Sequence, residues 1–262
     1  MQDHDYLAGP YPRAFAHRGW HLGDLSGMEN SLSAFRRAVQ EGYSYIETDV
    51  HATADGVVVV HHDDELDRTT DGRGIVARLP WRKVSQARIG GREPISRLED
   101  VLEELPDARF NIDVKTDSAI EPVAELLRRT NSLDRVCLAS FSDSRLQRLR
   151  GRIGPKLITS MGPRSVAALW AAGRLWAPRA WRAIRGRMAQ VPVSQGMLTV
   201  VDRRLISAAH RRGMEVHVWT IDDPAQMNRL LDLGVDGLVT DQPGVLRDVL
   251  RARGVWPVPR TV

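Results

Sequence analysis

The fold is decided by residues 109–160, which read RFNIDVKTDSAIEPVAELLRRTNSLDRVCLASFSDSRLQRLRGRIGPKLITS. Short apolar runs alternate there with helical patterns, which predicts strands at 109–115, 135–140 and 156–160 and helices at 121–130 and 144–150. Strands that are separated by helices of this length form parallel sheets that the helices cover. This stretch therefore predicts an α/β fold.

The same alternation continues in both directions along the chain. Towards the N-terminus it predicts strands at 13–17 and 45–50, an extended continuation at 57–62, and helices at 30–42 and 98–105. Towards the C-terminus it predicts strands at 189–193, 215–220 and 237–240 and helices at 165–172, 202–212, 225–233 and 245–253. Eight strand–helix units predict a closed (β/α)₈ TIM barrel. No GxGxxG fingerprint follows the first strand, which disfavours an open nucleotide-binding sheet.

Residues 63–96 interrupt the alternation with Thr-Asp-Gly, Gly-Gly and two prolines. These residues are typical of turns and loops rather than of regular elements. We interpret them as a small insertion after the second strand. The prediction is a single barrel domain that covers residues 1–262.

Composition narrows the range of functions and partners. The formal net charge of +4 favours anionic substrates but is too weak to indicate a nucleic-acid partner. The single cysteine, Cys137, cannot form an internal disulfide. No apolar run is long enough for a transmembrane segment. The polar residues 1–12 show no signal peptide, so we expect a cytoplasmic protein.

Titratable side chains cluster at the C-terminal ends of the predicted strands, where barrels carry their functional residues. Glu47 and Asp49 lie two residues apart, so both side chains point into the barrel mouth. Two inward carboxylates repel each other unless a cation lies between them, and Asp113 could complete an oxygen site for Mg²⁺ or Ca²⁺. Core ion pairs, for example Glu47 with Lys115, explain the spacing equally well.

Two histidines at predicted strand ends, His17 and His62, supply groups that phosphodiester cleavage needs. One imidazole can take a proton from a nucleophile, and the other can give a proton to the leaving alkoxide. Arg18 and Lys115 can hold the phosphate oxygens. The set indicates metal-assisted phosphoryl chemistry. Enolase-type and aldolase-type barrels need the same residue types, so the chemistry alone leaves them open.

Motifs between about residue 13 and residue 250 follow the order of a known family. They are AHRG at 16–19, ENSLSAF at 29–35, ETDV at 47–50, TADG at 53–56, HDDELDRTT at 62–70, VWTID at 218–222, GVDG at 234–237 and TDQP at 240–243. Each motif alone is weak, but the ordered set is specific. The chain resembles the glycerophosphodiester phosphodiesterase family.

This resemblance implies a (β/α)₈ barrel that hydrolyses glycerophosphodiesters to glycerol 3-phosphate and an alcohol, in lipid and glycerol metabolism. It implies one divalent cation held by Glu47, Asp49 and Asp113, and a general acid/base pair formed by His17 and His62. It also implies phosphate contacts from Arg18 and Lys115 and an apolar wall at Trp219. The family's second histidine directly precedes an aspartate. His62 has that position and His61 does not.

The chain departs from the family pattern at positions that bear on the site. Asp113 stands where glutamate is usual, which shortens the reach of the third ligand by about the 1.5 Å of a carbon–carbon bond. Met28 replaces a usual proline in a long loop at 20–28. We expect this loop to lie beside the mouth and to influence which alcohol group is accepted.

Two alternative functions stay open. A lysophospholipase D would keep the chemistry and accept lysophospholipids, as the loop at 20–28 and the arginine-rich residues 174–187, with Trp176 and Trp181, suggest. Residues 174–187 could contact a phospholipid surface transiently, or could form a loop and short helix packed over the barrel rim. A barrel that binds a phosphodiester without hydrolysing it is a different class, with Asp113 as the defect. In each case the expected partner is a small molecule and not a nucleic acid.

Overall fold

Eight parallel strands form a barrel in the computed structural model, which describes residues 4–175 and 178–257. The strands are β1 (Arg13–His17), β2 (Tyr45–Ala52), β3 (Arg109–Val114), β4 (Val136–Ala139), β5 (Ile158–Thr159), β6 (Met188–Val191), β7 (Glu215–Val218) and β8 (Gly237–Thr240). Hydrogen bonding joins them in the order β5-β4-β3-β2-β1-β8-β7-β6. A parallel bridge between Ser160 and Met188 connects the chain after β5 to β6, so the barrel is nearly closed.

A helix follows each strand, which confirms the predicted (β/α)₈ TIM barrel, and a further short helix, Pro178–Ala183, lies between the helix after β5 and β6. The helices are α1 (Leu32–Gln40), α2 (Leu98–Glu104), α3 (Ile120–Arg129), α4 (Asp143–Ile153), α5 (Pro163–Arg174), α6 (Arg203–His210), α7 (Pro224–Leu233) and α8 (Pro243–Ala252). Helix α1 begins later than predicted because Asn30 has a left-handed backbone and Ser31 caps the first turn. Within the described ranges, no helix has the length and hydropathy needed to cross a membrane.

Side chains along β2 and β3 point alternately into the apolar core beneath the helices and into the barrel interior. Ile46, Val50 and Phe110 are fully buried in the apolar core. Residues of the opposite parity point into the barrel, because side chains two apart share a face of a strand. The register pairs Asp49 with Asp113, so their carboxylates emerge side by side at the C-terminal end.

The segment between β2 and α2 forms the predicted insertion. Before residues 63–96, Val58–Val60 folds back and pairs antiparallel with the end of β2, so the run 57–62 is a separate strand rather than the predicted continuation of the second strand. Residues 63–96, which we predicted to be irregular, contain a short helix at Trp81–Val84 and a two-stranded ribbon. They pack around a separate apolar cluster, whose buried members are Met28, Val59, Leu66, Val76, Val84, Ala87, Ile89 and Ile95. Burial of these side chains fixes the insertion against the barrel mouth.

A network around Arg13 closes the N-terminal end of the barrel. The guanidinium donates to both carboxylate oxygens of Glu215 at 2.6 Å and to the hydroxyl of Tyr45 at 2.7 Å. Tyr6 is fully buried there and packs edge-on against Tyr45, with ring centroids 5.4 Å apart. His217 adds a hydrogen bond to Glu215 at 2.9 Å. Every charged group of this network therefore has a partner.

Candidate active site

The C-terminal ends of the strands surround a cavity of about 640 Å³. This volume lies within the usual range of small-ligand pockets. All eight side chains that the sequence predicts for the site line the cavity: His17, Arg18, Glu47, Asp49, His62, Asp113, Lys115 and Trp219. The barrel therefore brings together in one cavity residues from β1, β2, β3, the insertion and the chain after β7.

Glu47 and Asp49 point into the cavity from β2, but their surroundings differ. Asp49 accepts hydrogen bonds from Asn30 at 3.0 Å and pairs with Lys115 at 2.8 Å. Glu47 is buried, and its Oε2 atom has no hydrogen-bond partner among the described residues. Burial, together with the charge of Asp49, raises the pKa of Glu47 to about 8. The surrounding residues therefore disfavour ionisation of Glu47, and a bound cation would supply the positive charge that its ionised carboxylate lacks.

Lys115 supplies the positive charge between the two aspartates. Its Nζ lies 2.8 Å from Asp49 Oδ1 and 2.8 Å from Asp113 Oδ2. In the described part of the chain Lys115 pairs with these residues rather than with Glu47, the partner that the ion-pair interpretation suggested. No three His, Cys, Asp or Glu side chains of the described residues are grouped closely enough to hold a metal ion. The unpartnered Glu47 oxygen and the adjacent aspartates nevertheless fit a hard divalent cation chemically.

His17 is oriented by a carboxylate from the end of β8. Its Nδ1 lies 2.7 Å from Asp241 Oδ1, and its Nε2 lies 3.7 Å from Glu47 Oε2. Burial lowers the pKa of His17, but the hydrogen bond to Asp241 and the charge of Glu47 outweigh burial and raise it. The contact with Asp241 occupies Nδ1, so Nε2 is the ring nitrogen left for chemistry in the cavity.

His62 is oriented in the same way by the next residue along the chain. Its Nδ1 lies 2.5 Å from Asp63 Oδ1. Behind it, the ring of His51 hydrogen-bonds to the His62 carbonyl at 3.1 Å and fixes the backbone. His61 turns away from the cavity and hydrogen-bonds to the Glu65 carbonyl at 2.9 Å. The two neighbouring histidines therefore have different surroundings, and only His62 lines the cavity.

Arg18 reaches the cavity from a left-handed backbone position, with φ +55°. Its Nη1 donates to Glu29 at 2.8 Å, and its Nε lies 3.4 Å from Asp49. These contacts hold a planar guanidinium beside Lys115, where both can face an anion. Planar guanidinium donors match the oxygens of a phosphate group.

An apolar wall completes the cavity. Trp219 packs edge-on against Phe141, with ring centroids 5.7 Å apart. The wall continues over α5 and the loop after β6, through Met161, Val166, Trp170, Pro192, Leu198 and Val200. None of residues 20–28, all of which the structure describes, lines the cavity. His21 of this loop nevertheless lies 3.4 Å from Asp241 Oδ1, beside the cavity, whereas α5 lines the cavity directly. The influence of the loop on the alcohol group stays a prediction.

Residues 174–187 pack against the barrel in their described part. Arg174 stacks over Trp170 at 3.8 Å and pairs with Asp202. Trp181 packs against the apolar core, and Arg212 lies over its ring at 4.8 Å. Trp176, which contributed to the predicted lipid contact, lies outside the described residues.

Several residues of the site were not assigned a role from the sequence. Asp241 and Asp63 orient the two histidines, and Glu29 orients Arg18. All three stand inside the motifs quoted above, so the motifs pointed to their positions without revealing their contacts. The apolar residues of α5 gave no such signal, because apolar residues on a barrel helix are expected in the core.

Comparison with known proteins agrees with the motifs. The sequence model of the Glycerophosphoryl diester phosphodiesterase family matches residues 16–245. The chain belongs to this family. It is 42% identical over 246 residues to "Probable glycerophosphodiester phosphodiesterase 2" of Mycobacterium tuberculosis, which covers 93% of this chain and 92% of the relative. This phosphodiesterase family consists of hydrolases, so the chain is assigned as a phosphodiester hydrolase.

Two further relatives of this family member are a solved structure and a curated mammalian protein. The crystal structure of glycerophosphodiester phosphodiesterase from Agrobacterium tumefaciens superposes with a TM-score of 0.72 at 27% identity, covering 89% of this chain and 98% of that chain. "Lysophospholipase D GDPD1" of Rattus norvegicus is 25% identical over 278 residues, covering 91% of this chain and 86% of the relative.

Proposed function

We propose that this glycerophosphoryl diester phosphodiesterase family member hydrolyses glycerophosphodiesters to glycerol 3-phosphate and an alcohol. The observation that carries the proposal is the pair of histidines, each held through Nδ1 by a carboxylate, in one cavity with Arg18 and Lys115. The name of the Mycobacterium tuberculosis relative supports the substrate class. We propose that the barrel and its insertion act together as one domain.

His17 and His62 act as the general acid/base pair in this proposal. Because Asp241 and Asp63 occupy the Nδ1 atoms, Nε2 of each ring is the atom that moves a proton. One imidazole accepts a proton from water that attacks phosphorus, or from the neighbouring glycerol hydroxyl to give a cyclic phosphodiester, which water then opens to glycerol 3-phosphate. The other donates a proton to the leaving alkoxide. Proton transfer of this kind contributes about 10²- to 10⁴-fold to a rate.

Arg18 and Lys115 bind the phosphate oxygens, and Trp219 forms an apolar wall beside the substrate. Glu47, Asp49 and Asp113 hold one divalent cation, Mg²⁺ or Ca²⁺, which neutralises phosphate charge when bound. The unpartnered Oε2 of Glu47 supports this ligand set. Lys115, which pairs with both Asp49 and Asp113, contributes positive charge that faces the phosphate group.

The direct test is release of glycerol 3-phosphate from glycerophosphocholine by the purified protein. The protein is first treated with a chelator and is then assayed with and without added Mg²⁺ or Ca²⁺. We expect turnover only when a metal is restored. Turnover that persists after chelation would contradict the role of the metal, and absence of turnover with both metals would contradict this substrate.

A lysophospholipase D activity is the second candidate, and the apolar wall favours it. An acyl chain could lie along Val166, Trp170 and Leu198, whose apolar surface otherwise faces water in the open cavity. The name of the Rattus norvegicus relative supports the same reading. We propose this activity as an extension of the first, since the phosphoryl chemistry is unchanged.

Matched substrates separate the two candidates. Lysophosphatidylcholine and glycerophosphocholine are assayed below the micelle concentration, with wild type and with Trp170→Ala. If the wall binds an acyl chain, Trp170→Ala lowers kcat/KM for the acylated substrate and leaves the deacylated one unchanged. Equal effects on both substrates would assign Trp170 to packing only. Tight binding of either substrate without product would support the non-catalytic alternative.

A further inference from the structure

Arg68, from the insertion, binds two carboxylates at once. Its Nε and Nη2 donate to Asp63 at 2.5 and 3.1 Å. Its Nη1 and Nη2 donate to Glu29 at 3.0 and 2.7 Å. One rigid guanidinium therefore joins the insertion to the loop that precedes α1, with a two-point contact on each side.

Each of these carboxylates has a second partner that lines the cavity. Asp63 contacts Nδ1 of His62 at 2.5 Å. Glu29 accepts a hydrogen bond from Nη1 of Arg18 at 2.8 Å. Arg68 does not line the cavity itself. It lies directly behind one proposed proton-transfer group and one proposed phosphate-binding group, which come from different segments of the chain.

We propose that Arg68 is a positioning residue that fixes His62 and Arg18 relative to each other. This inference rests on the proposed hydrolysis and deepens it. His62 follows the strand Val58–Val60 and Arg18 follows β1, so the two groups come from different segments of the chain. Arg68, Asp63 and Glu29 form a clamp that fixes the distance between these groups. Misplacement of a catalytic group by about 1 Å can cost 10²-fold in rate.

The charge of the clamp is permanent at neutral pH. Burial raises the pKa of Glu29, but hydrogen bonds from Arg68 and Arg18 outweigh burial and lower it to about 2. Hydrogen bonding from Arg68 also holds the pKa of Asp63 well below its usual value. Both carboxylates therefore stay ionised, and the clamp keeps its geometry throughout the pH range in which the protein would be assayed.

The clamp contributes little to stability, which makes its role testable. The side chain of Arg68 is 49% exposed, and ion pairs at such exposure add little to the stability of a fold. An Arg68→Ala variant is therefore expected to fold. A loss of activity in a folded variant then reports on positioning. Arg73 is the matched control, because it lies in the same insertion, is 83% exposed and pairs with Asp67 at 3.0 Å.

The experiment compares Arg68→Ala, Arg68→Lys and Arg73→Ala with Asp63→Asn and Glu29→Gln. We expect Asp63→Asn to lower kcat mainly and Glu29→Gln to raise KM mainly. Arg68→Ala should do both, with kcat/KM about tenfold to a hundredfold lower. Arg68→Lys should recover only part of the loss, because an ammonium cannot form both two-point contacts. Arg73→Ala should match wild type.

Binding of glycerol 3-phosphate, measured by calorimetry, separates this inference from the proposed hydrolysis. Arg68→Ala should weaken the binding through Arg18, whether or not the protein turns substrate over. If the wild type turns over no substrate but Arg68→Ala still binds glycerol 3-phosphate more weakly than the wild type, the proposed hydrolysis is contradicted and the positioning role is kept. The inference is overturned if Arg68→Ala binds and turns over like wild type, or if its loss follows only from a lowered Tm. It is also overturned if Arg73→Ala shows the same loss.

Discussion

A glutamate at each end of the barrel is shielded from solvent, but the two glutamates have different partners. At the N-terminal end, the side chain of Glu215 is 18% exposed and receives two hydrogen bonds from Arg13. At the C-terminal end, the side chain of Glu47 is 10% exposed, and its Oε2 atom has no partner among the described residues. Glu47 is buried more completely than Glu215 and lies beside another carboxylate, Asp49, whereas Glu215 faces a guanidinium.

The consequence is visible in the pKa values. Burial raises the pKa of Glu215, but hydrogen bonds from Arg13 and His217 outweigh it, and the pKa falls to about 2. Burial and the charge of Asp49 raise the pKa of Glu47 to about 8. The first end stabilises the ionised carboxylate, and the second disfavours it. Groups with such perturbed pKa values cluster at functional sites.

The largest expected effect concerns the two histidines at the C-terminal end. We expect His17→Ala and His62→Ala each to lower kcat by about 10²- to 10⁴-fold, because each removes a proton-transfer group. The rate of glycerol 3-phosphate release from glycerophosphocholine is the measurement. His210→Ala is the control, because His210 lies on α6 outside the cavity and pairs with Asp236. Full activity in either site variant would remove that histidine from the mechanism.

The next effect concerns the N-terminal end. The pKa of Glu215 is lower in the folded state than its usual 4.5, so its stabilisation is complete above about pH 4.5 and is lost as the pH falls towards 2. We expect Glu215→Gln to lower the unfolding free energy by about 2 kcal/mol at pH 7. Urea unfolding should show that the difference in unfolding free energy between wild type and variant narrows between pH 4.5 and pH 3. The folded variant should keep its turnover. A difference that does not change with pH would contradict the charge argument.

The smallest effect has the opposite sign. The pKa of Glu47 is raised above its usual 4.5, so stability falls as the pH rises from 4.5 towards 8, because the carboxyl ionises in the unfolded state and stays protonated in the folded state. We expect Glu47→Gln to raise the unfolding free energy of the metal-free protein by about 1 kcal/mol at pH 7, with loss of turnover. Thermal unfolding after chelation is the measurement. A destabilised variant would show that Glu47 has partners that stabilise its charge.

Much of the fold followed from periodicity, because strands and helices of a barrel differ in the spacing of their apolar residues. The position of the eight predicted residues around one cavity also followed, since the C-terminal ends of parallel strands meet at one mouth, while their roles stay predictions. The contacts of Lys115 did not follow, because spacing along one strand says nothing about how far a long side chain bends. Spacing suggested Glu47 as its partner, and the structure gives Asp49 and Asp113.

The apolar wall could not be predicted for a different reason. Val166 and Trp170 are four residues apart on α5, which is the spacing of a helix face that packs on the core. Only the barrel geometry and the loop after β6 show that this face also lines the cavity. Likewise, the loop at 20–28 is near the site in sequence, yet Met28 is buried in the cluster of the insertion.

The most direct test of the contrast between the two ends is a calorimetric titration of the chelated protein with Mg²⁺ and with Ca²⁺. The C-terminal end is predicted to bind one divalent cation per chain, and Glu47→Gln should weaken that binding by about tenfold or more, while Glu215→Gln should leave it unchanged. Absence of binding to the wild type, or equal affinity in the wild type and Glu47→Gln, would contradict the claim that Glu47 is a ligand of a cation that compensates its ionised carboxylate.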